Sequence, residues 1–196
     1  QWSPPNLLVR GLSTDDIGLV APIPGGIAVI WSNQREDAIA VREHRDSDPQ
    51  REWQASRIIE QGAGTADDHL NAALAADGTL WVASKNSVDR VGAAQLVLRI
   101  RSPHGQWKNL PYAIATSDFT PSRPIVVATP DPRVAVLAHS LYASTDSRLD
   151  HIVAGRAVAS QVGEVSRFTP AIVPGPELST RVNDVTGPKA AYPEDA

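Results

Sequence analysis

Tryptophan recurs along this chain at a near-constant interval. Trp2, Trp53 and Trp107 stand 51 and 54 residues apart, with short apolar pairs such as Leu7-Leu8 and Ile58-Ile59 close behind the first two. A fixed period of this length marks a repeat architecture, because each unit must bury a face against its neighbour. Setting the first unit on the second at an offset of 52 pairs Asp15-Asp16 with Asp67-Asp68, Gly26 with Gly78 and Ser32 with Ser84. At an offset of 54 the third unit puts Arg123-Pro124-Ile125 over His69-Leu70-Asn71, and Val134-Ala135-Val136-Leu137 over Leu80-Trp81-Val82-Ala83.

The apolar residues come in short Val, Ile, Leu and Ala runs punctuated by 16 Pro and 13 Gly, the pattern of strands joined by tight turns. Strands are expected at 19–24, 27–33, 38–44 and 56–60, then at 70–75, 79–85, 94–101 and 110–114, and finally at 124–129, 133–139, 150–158 and 168–173. Asp77-Gly78 between apolar runs is the clearest hairpin signal. Four short antiparallel strands cannot bury both faces alone, so such units stack radially. The expected fold is therefore all-β, a β-propeller of four-stranded antiparallel blades; a sandwich is the alternative, though it requires no such repeat. Blades fall at 13–61, 62–116 and 117–176, preceded at 1–12 by the last strand of an earlier blade. Residues 177–196 form an irregular tail or the start of a further blade, around Val182-Asn183-Asp184-Val185-Thr186.

Three blades are too few, since propellers close with about 4 to 8. The ring is expected to be completed by another chain, or to be part of a larger propeller. A start at Gln1 in a chain without Met also reads as a processed product or a piece of something longer.

Two turn sequences carry a family resemblance. Asp46-Ser47-Asp48-Pro49 with Trp53, and Ser102-Pro103-His104-Gly105-Gln106-Trp107, resemble degenerate Asp-box turns, in which a Ser, an Asp, a Gly and an aromatic fix the turn between the third and fourth strands of a blade. Ala66-Asp67-Asp68-His69-Leu70-Asn71 with Asp77-Gly78 and Ala83-Ser84-Lys85-Asn86-Ser87, together with Trp31-Ser32-Asn33-Gln34 and Val182–Thr186, is similar to bacterial secreted proteins with sialidase-like (BNR, neuraminidase-type) repeats. The resemblance spans residues 12–190 and implies an exported propeller of six or seven blades. It carries no catalytic assignment, because the arginine triad, Tyr/Glu pair and general acid of sialidases do not map here. Some propeller polysaccharide lyases resemble this chain in an Asp-Asp-His-like blade start, which singles out His69.

Composition removes several functions. The net charge is -4 with both signs mixed along the chain, so no basic stripe marks a nucleic-acid surface. No cysteine is present, which excludes disulfides and thiolate chemistry, and no 18-residue apolar run could span a bilayer. No phosphate-binding loop, nucleophile elbow or dinucleotide fingerprint occurs.

The candidate chemistry is correspondingly thin. His69 follows two carboxylates at the start of an inner strand, so Asp67, Asp68 and His69 are the catalytic candidates, with the imidazole as base or sugar ligand. The competing reading is an architectural tie between blades, favoured by Asp15-Asp16 in the equivalent place with Ile17 where His69 stands. The aspartates could also offer oxygens to calcium, but no regular calcium loop accompanies them, and turn capping is the simpler use. His44, His104, His139 and His151 lack paired spacing for zinc, so no metal and no cofactor is expected. Among fifteen Arg, Arg35, Arg90, Arg123 and Arg148 stand where they could grip the carboxylates of acidic sugars. Trp31 and Trp81 read as packing residues. A binding or adhesion module for a glycan or protein, exported and oligomeric, is thus expected ahead of a glycoside hydrolase or polysaccharide lyase, or of a purely structural subunit.

Overall fold

The computed structural model of the chain describes residues 5–88, 90–145, 149–159, 165–168 and 171–172. It is all-β, with three antiparallel sheets in chain order. The first contains β1 (Gly18–Ile23), β2 (Gly26–Asn33), β3 (Ala38–Arg45) and β4 (Arg57–Gln61), paired in that order. The second contains β5 (Leu70–Leu74), β6 (Leu80–Lys85), β7 (Ala94–Arg101) and β8 (Trp107–Ile114). The third runs β9 (Phe119–Ala128), β10 (Val134–Ala143), β11 (Leu149–Ala159) and β12 (Val165–Phe168), with β13 (Ala171–Ile172) also pairing β11.

The strands lie close to where the apolar runs put them. In the third sheet β9 and β10 extend to Phe119 and Ala143, and the run expected at 168–173 is divided between β12 and β13. Residues 5–12, expected as a strand, are irregular. They are held by side chains instead: Arg42 Nη1 donates to Leu8 O at 2.8 Å, and Asn6 Nδ2 to Arg51 O at 3.4 Å. Val182–Thr186 lies outside the described residues.

Strand alternation divides the second sheet between two cores. Leu80 and Val82 pack with Ala21, Ile23, Ala28, Ile30, Ile39 and Val41 of the first sheet. Trp81 and Ala83, one residue out of phase, pack with Val126, Ala135, Leu137 and Ala157 of the third. Successive side chains point to opposite faces of a strand, so one apolar run serves two interfaces, and β6 is buried nearly throughout.

The same alternation corrects the alignment of the repeats. The first hairpin turns through two residues, Pro24-Gly25, between the Ile23 and Gly26 pair. The second turns through three, Ala76, Asp77 and Gly78, closed by Ala75 N–H donating to Thr79 O. The third turns through four, 130–133, between Thr129 and Val134, whose carbonyl accepts from Thr129 Oγ1. Each repeat therefore adds one residue to its first turn. First strands keep the offsets of 52 and 54, while second strands shift to 53 and 55, aligning Ala28 with Trp81 and Trp81 with Val136. Pairing Ile30 with Val82 instead matches residues that face each other across an interface, because a one-residue slip reverses the face. Trp31 and Trp81 consequently lie on opposite sides of their sheets.

Two turns also abut. A Cβ at Gly78, whose φ is +88°, would stand 2.5 Å from Pro24 Cγ, so the left-handed turn of the second sheet fits against the first hairpin only as glycine.

Candidate functional site

Asp67, Asp68 and His69 enter β5 together, and Lys85 closes the end of β6 beside them, its N–H donating to His69 O. Asp67 is buried and accepts three donors. Its Oδ1 takes the Asp68 N–H at 2.8 Å and His69 Nδ1 at 2.9 Å, and its Oδ2 takes Lys85 Nζ at 2.6 Å. His69 Nδ1 also contacts Asp68 Oδ1. With Nδ1 committed to carboxylates, Nε2 makes no hydrogen bond among the described residues.

The two carboxylates are driven apart. Burial alone would raise Asp67, but the His69, Asp68 and Lys85 donors outweigh it and hold its pKa far below the usual range. Burial and the neighbouring Asp67 carboxylate raise Asp68, against the pull of His69 and Lys85. The two groups titrate as a pair.

The first sheet has a comparable tie, made one position later in the repeat and without a histidine. Asp16 accepts Ser13 N–H at 2.7 Å and Gln34 N–H at 2.8 Å, so it ties the entry of β1 to the end of β2 as Asp67 ties β5 to Lys85. Ile17 stands where His69 does. This is the turn-capping use of aspartate. Among the described residues, Asp67, Asp68 and His69 are the one group whose ligand atoms come within 4.8 Å of one another. Calcium takes six to eight oxygens, and here an ammonium already neutralises Asp67, so the set assigns no metal.

Among the described residues, Arg35, Arg90 and Arg123 do not gather. Arg35 is exposed at the β2–β3 turn, and Arg90 is exposed between β6 and β7, at a small hollow of about 200 Å³. Arg123 is buried in a bulge of β9, at φ +51°, with its guanidinium 4.9 Å from the centre of the Tyr142 ring. It packs inward rather than offering a free charge. Arg148 lies outside the described residues.

Other arginines do more. Glu43 of β3, 3% exposed, receives Arg101 of β7 through Nε at 3.0 Å and Nη2 at 3.2 Å, with Arg57 at 2.7 Å and Arg45 at 3.2 Å. Burial would raise Glu43, but these guanidiniums hold its pKa below the ordinary value. Arg99, fully buried, donates to Glu60 of β4 at 2.6 Å and also to Ser84 and Asn86. Its burial lowers it to about 10 despite Glu60. These pairs clasp the first sheet to the second. Sequence reading missed them because charged residues at strand ends read as solvent-facing; the signal available was Arg-x-Arg continuing an unbroken apolar run in β7.

A larger hollow, about 650 Å³, lies at the opposite end of β5 and β6. Three turns frame it: Asp77 and Thr79 from β5–β6, Ser102, Pro103 and Gln106 from β7–β8, and Pro132 and Arg133 from β9–β10. The length of β5, about 17 Å at strand rise, separates it from Asp67 and His69. No family model, curated protein or solved structure matches this chain.

Proposed function

We propose that the chain is three blades of a sialidase-like β-propeller acting as a non-catalytic binding module for a glycan on an exported assembly. The observation that carries this reading is separation: the acid–base cluster stands at one end of the sheets and the large cleft at the other. Hydrolysis or elimination needs an acid or base within hydrogen-bond reach of a bound substrate. Here the cluster's donors and acceptors are largely spent on one another, as in an architectural tie. Stacking in chain order, a shared strand order and Asp-box-like sequences at the β3–β4 and β7–β8 turns support the propeller.

The ring is closed by a second copy. Where a sheet face meets a neighbour its apolar side chains are buried, whereas the outer face of the first sheet leaves Val20 69%, Ile27 38% and Ile58 52% exposed. Two chains, each laying its third sheet on the other's first, give a six-bladed ring within the usual range of about 4 to 8.

A second reading as a hydrolase or lyase rests on the opposed shifts of Asp67 and Asp68, the pattern of an acid beside an ionised partner. Turnover assays on a polysaccharide panel, run with a glycan array, separate the two. Binding without turnover, unaffected by His69→Ala, is the expected result. Turnover abolished by His69→Ala in a folded protein would establish the enzyme instead.

A further inference from the structure

We infer that the cleft framed by the β5–β6, β7–β8 and β9–β10 turns is the glycan site, and that it takes a neutral oligosaccharide; this rests on the binding reading above. Its volume, about 650 Å³, falls inside the range of small-molecule sites. The apolar lining comes from Trp107 and Ile100, with Trp81 buried beneath, and from Pro103 and Pro132. A pyranose presents one face of C–H groups and a girdle of hydroxyls, which matches an apolar floor within a polar rim.

Two indole N–H groups of that lining, on Trp81 and Trp107, have no acceptor among the described residues. Trp81 is 1% exposed. An unmet buried donor costs about 1–3 kcal/mol, a cost that a hydroxyl or ring oxygen bound in the cleft removes.

The rim excludes an acid as the preferred ligand. Arg133 is already engaged by Asp131, Nε to Oδ1 at 3.0 Å and Nη2 to Oδ2 at 2.9 Å. Asp77 accepts from Thr79 N at 2.9 Å and Oγ1 at 3.0 Å, and its negative charge balances Lys108 across the same hollow. Once Asp131, which pairs with Arg133 from outside the lining, is counted, the formal charges sum to zero, so the cleft offers donors and acceptors without a strong net field. Hydroxyls can answer both.

The test is calorimetric titration of the intact chain with gluco-, xylo- and manno-oligosaccharides of six residues, and with oligogalacturonate as the acidic probe. Binding of at least one neutral series is expected, weakened about tenfold by Lys108→Ala and by Trp81→Phe, as for loss of one good hydrogen bond. The Asp68→Ala variant, altered at the far end, should bind as the parent does. Because Trp81→Phe changes a core residue, its fold is checked by thermal melting, and Lys108→Ala stands alone if it fails. Tight binding of oligogalacturonate with no neutral series bound would overturn the ligand class. Neutral binding unmoved by Lys108→Ala would overturn the site while leaving the binding function standing. No binding to any of the probes, with an empty glycan array, would remove the binding function itself.

Discussion

The second sheet meets its two neighbours in different ways. Toward the first sheet, an apolar centre around Leu80 and Val82 ends in the buried pair Arg101–Glu43 and in the half-buried pair Arg99–Glu60. Toward the third, Trp81, Leu98 and Leu110 meet Val126, Ala135 and Leu137, and His139 rests edge-on against Tyr112 at 6.0 Å. Hydrophobic contact tolerates many registers, whereas a bidentate guanidinium–carboxylate pair accepts one. The ionic interface therefore fixes the register of the sheets, and the apolar one supplies adhesion.

Breaking either interface should cost most. Glu43→Ala leaves the fully buried Arg101 without its acid and should lower unfolding free energy by about 3–5 kcal/mol in urea titrations. Trp81→Ala should cost a similar 3–5 kcal/mol by emptying the apolar interface. The two differ in rescue. Adding Arg101→Met to Glu43→Leu should recover most of the ionic loss, since an apolar pair replaces a buried ion pair at little cost. No single added charge should restore the Trp81 cavity.

Acid should separate the interfaces in sequence. Burial, with His151 nearby, lowers His139 to about 4, against 6.5 for an ordinary imidazole. The folded chain thus resists protonating it: its contribution is fully present above pH 6.5 and is lost as pH falls toward 4, by about 3 kcal/mol in all. Glu43, whose pKa is lowered, contributes above pH 4.5 and loses that contribution only as pH falls further. Stability measured against pH should therefore decline first from the apolar interface. His139→Gln should flatten the profile between pH 6.5 and 4 and leave the more acidic limb in place.

How much of this could be read in the sequence follows from the same contrast. Strand positions and the Asp77-Gly78 turn were legible because apolar alternation and turn residues are local. The lengthening of the first turn from Pro24-Gly25 to Ala76-Asp77-Gly78 to residues 130–133 was not, because a single extra turn residue hardly disturbs the alignment but reverses every following side chain. The clasp was hidden for a different reason: Glu43 and Arg101 are 58 residues apart, and nothing local marks a charge as buried. At the candidate site, Asp67, Asp68 and His69 were recognised together, whereas Lys85, which decides the charge balance there, was seen only as part of a repeat. The cleft at the opposite end draws on three turns and has no sequence motif of its own.

The smallest effect should come from the surface. The Asp131–Arg133 pair is solvent-exposed, so Asp131→Asn should leave the melting temperature within experimental error. By freeing the guanidinium, the same change should strengthen any binding of oligogalacturonate.

The exposed outer face of the first sheet is the boundary on which the proposed ring depends, and light scattering coupled to size exclusion reads its state directly. Closure of a six-sheet ring by two copies predicts a solution mass of twice 20.9 kDa, reduced to a single chain by Val20→Glu with Ile58→Glu. A parent chain that runs as a monomer of 20.9 kDa at every concentration would contradict a ring closed between copies.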